Sequence, residues 1–295
     1  MNAVVFGFPG NELLVNSISD ALNAERGIIT IHRFPDEESL VRIEANFAGK
    51  EIVVVATLDH PDNKILPLYF LCKKLKAEGA KTLTLIAPYL AYMRQDKSFH
   101  LGEIVSSDYF AALLSSFVDR LITVDPHLHR HHSLREIFTI PCHVVHSSSA
   151  ISSWIRDKVD NPVLIGPDSE SRQWVSQVAS EIHAPYVILN KERLSDRSVK
   201  ISFPDAEKYK SFTPVIMDDI ISTAHTMIET IHHLKEVNLK PTVCIGVHAL
   251  FVENAYEQLI HTAANMIATC NTIPHSSNKI NVHELIIQEL RDTIV

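Results

Sequence analysis

Short apolar runs rich in Val and Ile recur along the chain, separated by longer segments whose apolar positions repeat every three to four residues. Ile52–Ala56, Thr82–Ala87, Leu121–Val124, Val163–Ile165, Tyr186–Leu189, Pro214–Met217, Val243–Val247 and Met266–Thr269 lack clean polar alternation. Strands covered on both faces read this way, whereas a strand with one wet face alternates. Between them, Ile65–Lys76, Ile104–Phe117, Ser171–Ile182, Thr226–Glu236 and Asn254–Ala264 read as helices. The alternation predicts βαβ units, so the expected class is α/β, with parallel sheets covered by helices.

Two stretches share one layout, Ile52 to Tyr89 and Pro214 to Leu250. Each runs strand, polar loop carrying Asp, helix ending in polar Lys-bearing residues, then strand. A duplicated α/β domain explains the likeness, although any two βαβ units share this outline. The polar run Ser147-Ser148-Ser149 then marks the boundary, giving domains 1–146 and 147–295. Glu192–Lys210 is the most charged part of the chain and is expected to be a mobile loop or hairpin.

Composition changes the picture mainly by exclusion. The 295 residues are 46% hydrophobic and 21% charged, and 27 Lys+Arg against 35 Asp+Glu leave a net charge of −8. That is globular composition, with room for two domains at roughly 150 residues each. The acidic balance argues against a nucleic-acid partner, and no apolar run approaches the roughly 18 residues of a membrane span. The start lacks a basic n-region and a small-residue cleavage site, so the expected location is cytoplasmic. Cys72, Cys142, Cys244 and Cys270 lie far apart with no metal-finger spacing, and are expected to be reduced, buried thiols. Protonating all 17 histidines would move the charge from −8 to +9, so acid sensitivity is expected.

The sharpest motif is PVIMDDIISTAHTM, from Pro214 to Met227. An apolar strand meets Asp218 and Asp219, and a hydroxyl-rich loop opens a helix. Helix-start N–H groups attract phosphate, and Ser222, Thr223 and Thr226 add donors. Adjacent carboxylates repel phosphate, so they suit the hydroxyls of a sugar. The motif therefore points to a sugar phosphate; a capped helix start with a solvated Asp pair is the plain alternative.

This loop resembles the phosphoribosyl-diphosphate loop of the type I phosphoribosyltransferase fold. RFPDEESLVRI from Arg33, APYLAYMRQDK from Ala87, TVDPHLHR from Thr123, GPDSESRQW from Gly166 and NKERL from Asn190 narrow the resemblance to the ribose-phosphate pyrophosphokinase family, in order and spacing over nearly the whole chain. The resemblance implies two phosphoribosyltransferase-like domains related by duplication, the first with ATP-binding elements, the second with the ribose 5-phosphate and catalytic loops. It implies transfer of the β,γ-diphosphate of Mg-ATP to the anomeric hydroxyl of ribose 5-phosphate, giving phosphoribosyl diphosphate and AMP, in a homo-oligomer.

Residue by residue, the resemblance assigns adenine to Phe34, Asp36 and Glu38, lent by a neighbouring subunit. Arg94, Gln95 and Asp96 fall at ATP-binding positions. His127 and Asp168 match residues around the Mg²⁺–triphosphate unit. Lys191 and Arg193 match the cationic pair of a flexible catalytic loop, with His127 as the third catalytic position. Asp218, Asp219, Ser222, Thr223, Ala224, His225 and Thr226 match the ribose 5-phosphate site. The clustered His127, His129, His131 and His132 could suggest zinc, but no carboxylate or Cys stands at a matching spacing nearby.

The chain also departs from the family pattern. Ser222 replaces a usual aspartate and Ala224 fills the variable slot. His225 replaces a glycine that would tolerate positive φ. Ser98-Phe99-His100-Leu101-Gly102 replaces a basic stretch of the phosphate/ADP regulatory site, so weak phosphate activation and weak ADP allostery are expected. A catalytically silent subunit of the same family, and a phosphoribosyltransferase, are the rival functions.

Overall fold

The computed structural model describes residues 2–294 except 99, 129, 196, 197, 204 and 263, and only the backbone of the described residues within 190–202. The chain divides into two compact units, 1–145 with 283–295, and 146–282.

In chain order the first unit runs β1 (Ala3–Gly7), α1 (Glu12–Leu22), β2 (Glu25–Arg26), β3 (Ile28–Arg33), β4 (Ser39–Glu44), β5 (Glu51–Val55), α2 (Asp62–Ala77), β6 (Thr82–Ala87), α3 (Ser106–Ser115), β7 (Arg120–Val124) and β8 (Cys142–Val145). Its parallel sheet has the order β2-β1-β5-β6-β7-β8, and β3 pairs antiparallel with β4 as a separate hairpin. The second unit runs α4 (Ser148–Lys158), β9 (Pro162–Gly166), α5 (Arg172–Ile182), β10 (Tyr186–Ile188), β11 (Asn190–Ser195), β12 (Ser198–Ser202), β13 (Thr213–Ile221), α6 (His225–Glu236), β14 (Thr242–Ala249), α7 (Ala255–Ile260), β15 (Ala264–Cys270) and β16 (Asn278–Ile280). Its parallel sheet has the order β10-β9-β13-β14-β15-β16. The expected α/β class, with helix-flanked, mainly parallel sheets, is what the chain adopts.

The sheets form where Val and Ile runs can be covered twice. Val4, Val54, Leu85, Ile122, Leu164, Ile216 and Ile245 are all fully buried, each such side chain contributing roughly 1.5–3 kcal/mol on burial. Cys72, Cys244 and Cys270 are buried with them and Cys142 partly so, all as free thiols. Burial pushes the Cys142 and Cys244 thiols up to about 12, so they pack as small hydrophobes.

The division after residue 145 falls beside the expected boundary at the Ser147–Ser149 run; Ser147, Ser148 and Ser152 are buried at the start of α4, where small side chains allow close packing and Ser148 Oγ accepts from Gln177 Nε2 of α5 at 2.9 Å. Other boundaries differ from expectation. The last helix, α8 (His283–Ile294), departs from the single block 147–295, because it packs on α1, β7 and β8 of the first unit. It buries Ile286, Ile287 and Leu290 there, with His143 Nδ1 at 2.8 Å from Glu289 Oε1. The segment expected as helix to Ala264 stops at Ile260, and Ala264 already opens β15. In the charged stretch after Asn190, β11 and β12 pair antiparallel as a hairpin.

Candidate functional site

In an open parallel sheet, a crevice forms where successive connections leave in opposite directions. The second unit has such a switch point between β9 and β13. From β9 the chain passes through α5 to β10 on one side, and from β13 through α6 to β14 on the other. The β9–β13 ladder ends at the pair Ile165–Ile216, while β13 stays paired with β14 out to Ile221. Asp218 and Asp219 therefore lie within the strand, on the part that outlasts β9. Their own carboxylates take neighbouring amides, Asp218 Oδ1 accepting from Asp219 N–H at 3.0 Å and Asp219 Oδ1 from Ile220 N–H at 2.8 Å.

Asp168 occupies the opposite lip, just after β9. Its Oδ1 accepts from the N–H groups of Glu170 and Ser171, at 3.1 and 3.2 Å, and Ser171 Oγ donates to its carbonyl at 2.7 Å. This turn lies so close to Gly166 that a methyl group there would collide with the Ser171 hydroxyl and with Ile188. Across the crevice, Gly246 stands opposite Asp218 in the β13–β14 register and makes room for Ile221.

The electrostatics follow from this convergence. Asp218 is held well above the usual carboxylate range, first by loss of solvent, then by the charge of Asp219, and further by that of Asp168. Three carboxylates sharing one crevice favour a ligand that brings hydroxyl hydrogens or a cation. Among the described residues, no three His, Cys, Asp or Glu converge tightly enough to hold a metal ion by themselves. Magnesium keeps most of its waters and takes substrate oxygens, so one or two protein carboxylates suffice for it. The donor set fits that cation better than zinc.

The loop after β13 completes this site. Ala224 carries the left-handed conformation, φ +59°, and α6 starts at His225. The expected strain at His225 is thus corrected: the loop reverses one residue earlier, and the histidine adopts ordinary helical geometry. A buried alanine pays a small steric cost at positive φ and packs against the core beside Met227 and Ile221. Ser222 and Thr226 are partly buried, and Thr223 and His225 are exposed. Lys191 and Arg193 lie on β11, in register with Ile201 and Val199; their side chains lie outside the described part of the structure.

In the first unit four of the predicted residues, Arg94, Gln95, Asp96 and His127, follow the carboxyl ends of the neighbouring strands β6 and β7. Arg94 and Gln95 follow β6, and His127, partly buried, follows β7. Gln95 Oε1 accepts from the Ser106 hydroxyl at the start of α3. Asp96 is buried and ion-paired with Arg130, which ties the loop after β6 to the loop after β7. Arg130 was not singled out in the sequence, because only the fold brings it to Asp96. In the histidine cluster, His131 Nδ1 lies 3.3 Å from Glu136 Oε2, His132 N–H donates to Glu136 Oε1, and His129 lies outside the described residues.

Phe34, Asp36 and Glu38 form the tip joining β3 to β4. Phe34 N–H donates to Glu38 O at 2.8 Å and Glu37 N–H to Phe34 O at 2.9 Å, with Glu37 at φ +71°. Phe34 is 41% exposed and presents its ring beside that of His32, centroids 4.8 Å apart. An exposed ring flanked by carboxylates suits a flat partner with an exocyclic amine.

The chain resembles known proteins over most of its length. Residues 3–117 match the family model for the N-terminal domain of ribose phosphate pyrophosphokinase, and residues 136–284 match the phosphoribosyl transferase domain. A curated ribose-phosphate pyrophosphokinase of Sulfolobus acidocaldarius is 32% identical over 253 residues, 84% of this chain and 86% of that protein. One of Methanobrevibacter smithii is 28% identical over 302 residues, 98% of this chain and 100% of that protein. The crystal structure of phosphoribosylpyrophosphate synthetase from Mycobacterium smegmatis shares the fold, with TM-score 0.87 at 22% identity over 99% of both chains. No helix among the described residues is long and apolar enough to cross a membrane. With both domains matched in order along almost all of its length, this chain belongs to the ribose-phosphate pyrophosphokinase family.

Proposed function

We propose that the protein transfers the β,γ-diphosphate of Mg-ATP to O1 of ribose 5-phosphate. The O1 oxygen forms a bond to the β-phosphorus, the bond from that phosphorus to the α–β bridging oxygen breaks, and AMP leaves. The observation that carries this reading is the second-unit switch point, where Asp218 and Asp219 stand beside a hydroxyl-rich loop opening α6.

In this reading Asp218 and Asp219 accept the ribose hydroxyls. Ser222, Thr223, Thr226 and the first N–H groups of α6 hold the 5-phosphate, and His225 lies at that mouth. Arg94 and Gln95 bind ATP, with Asp96 holding their loop in place. His127 and Asp168 serve the Mg²⁺–triphosphate unit; magnesium neutralises polyphosphate charge there. Lys191 and Arg193 neutralise charge that develops on the transferred group, the main demand of such a transfer. Phe34, Asp36 and Glu38 receive adenine from a neighbouring copy in a homo-oligomer. The setting is cytoplasmic, with no nucleic acid or membrane as partner.

A coupled AMP-release assay with Mg-ATP and ribose 5-phosphate, with and without inorganic phosphate, tests this. AMP formation that requires ribose 5-phosphate is expected, with little activation by phosphate because the 98–102 segment lacks a basic stretch. Binding of both substrates without AMP release would instead identify a silent subunit.

A further inference from the structure

The loop linking β14 to α7 has no part in the reading above, yet two of its amides grip the phosphate loop. Phe251 N–H donates to Ile221 O at 2.9 Å, and Val252 N–H donates to Ser222 O at 3.2 Å. The grip is made in an unfavourable conformation. Phe251 and Glu253 both have positive φ, +28° and +55°, although neither is glycine. Such geometry costs of order 1 kcal/mol or more per residue and persists only where surroundings over-determine it.

Here a three-ring cluster does so. Phe251 lies 4.7 Å from His275 and 5.1 Å from Tyr256 between ring centroids, and Tyr256 meets His275 edge-on at 4.6 Å. The orientation of His275 is in turn fixed by hydrogen bonds. Its Nδ1 accepts from Ser277 N–H at 3.1 Å, and Ser277 Oγ lies 2.8 Å from the same nitrogen. Asn278 Nδ2 donates to Thr269 Oγ1 at 2.9 Å, and Thr269 Oγ1 is 2.8 Å from Ser277 Oγ. With Thr269 receiving the Asn278 proton, its own hydroxyl proton goes to Ser277, and the Ser277 proton goes to His275. His275 N–H also donates to Asn278 Oδ1 at 2.9 Å. One continuous set of contacts therefore runs from β15 and β16 through His275 and Phe251 to Ser222.

We propose that Phe251 and His275 are positioning residues for the ribose 5-phosphate loop. Their ring contact holds residues 251–253 so that the Val252 amide fixes Ser222, and with it the turn at Ala224. The proposal rests on the assignment of this loop to ribose 5-phosphate. A general packing role would lower stability and weaken both substrates alike; a positioning role falls on one substrate.

The test is steady-state kinetics with Mg-ATP and ribose 5-phosphate on Phe251→Ala, Phe251→Tyr and His275→Asn, with calorimetric binding of ribose 5-phosphate alongside. Phe251→Ala is expected to raise KM for ribose 5-phosphate about tenfold, with kcat and KM for ATP within twofold of the unsubstituted protein. Phe251→Tyr, which keeps the ring, is expected to restore the original KM. His275→Asn offers Oδ1 to the Ser277 donors but deletes the ring, so it carries the test if Phe251→Ala does not fold; it is expected to match Phe251→Ala. Unchanged ribose 5-phosphate affinity in folded Phe251→Ala or His275→Asn would overturn the positioning role alone, as would a parallel loss for both substrates. Absence of ribose 5-phosphate binding by the unsubstituted protein would overturn the assignment of the loop, and the positioning role with it.

Discussion

Both units have a switch point, and they fill it in opposite ways. In the first unit it lies between β1 and β5, where α1 leads to β2 on one side and α2 to β6 on the other. Asn11 and Thr57, 5% and 2% exposed, close it with neutral hydrogen bonds. Thr57 Oγ1 donates to Asn11 Oδ1 at 2.8 Å, Thr57 N–H donates to the same oxygen, and Asn11 Nδ2 donates to Phe8 O at 3.1 Å. In the second unit the corresponding crevice is lined by Asp168, Asp218 and Asp219, and burial with mutual repulsion raises Asp218. The first arrangement satisfies its polar groups internally. The second brings like charges together. One architecture, used twice, thus carries a neutral, internally bonded crevice and an acidic one, and the difference lies in the side chains rather than in the fold.

The largest expected effect comes from removing the charge at the acidic crevice. Asp218→Asn should lower kcat/KM for ribose 5-phosphate by roughly 10²–10³-fold, because an amide cannot accept sugar hydroxyls at both atoms. The same substitution should raise the melting temperature of the ligand-free protein by a few degrees near pH 8, roughly 1 kcal/mol. A destabilised Asp218→Asn would break the comparison. The reciprocal change, Asn11→Asp, puts a carboxylate oxygen against Phe8 O in the closed crevice; it should cost about 2–4 kcal/mol, read by chemical unfolding, and leave ribose 5-phosphate affinity unchanged.

A smaller effect is expected from Gly166→Ala. The added methyl displaces Ser171 and the Asp168 turn, at about 1–3 kcal/mol for local overpacking, and activity should fall about tenfold. Intact activity would separate Asp168 from the chemistry.

The smallest effects are in pH dependence. Asp218 retains its proton in the folded state above the range where the unfolded chain releases it. Its ionisation therefore takes stability away as pH rises above about 4, until the group is fully ionised. The melting-temperature gap between Asp218→Asn and the unsubstituted protein should widen across that rise. His275 and His283 shift the other way, chiefly because burial disfavours their charged forms. The folded protein then binds fewer protons than the unfolded chain, and stability declines as pH falls below about 6.5. His283→Gln should lessen the loss between pH 7 and 5.5, measured by thermal unfolding.

Local features of this kind were legible to different degrees. The run Thr82–Ala87 is a strand to the residue, because an apolar stretch of that length between polar flanks has few other options. The apolar run from Pro214 predicts a strand only to Met217, yet β13 continues through the half-buried Asp218, Asp219 and Ile220 to the buried Ile221, since β14 runs alongside and keeps the backbone paired. The β3–β4 hairpin is not among the predicted strands because none of its residues is buried and neither strand is an unbroken apolar run. The histidine in the glycine slot suggested strain at His225, and only the path of the loop shows that Ala224 takes the left-handed turn.

What the sequence by itself determined is local and periodic: the α/β class, the carboxylate pair preceding a hydroxyl-rich helix start, and the identity of the groups able to meet a sugar phosphate. Those follow from residue spacing, which fixes the faces a segment can bury and the donors it can offer. The tertiary structure decided which strands became neighbours. That choice opened the crevice between β9 and β13, buried Asp96 against Arg130, sent α8 back to the first unit and set Phe251 against His275. Each joins residues distant in the chain, and their pairing is governed by packing and burial across the whole unit, which no local window of sequence encodes.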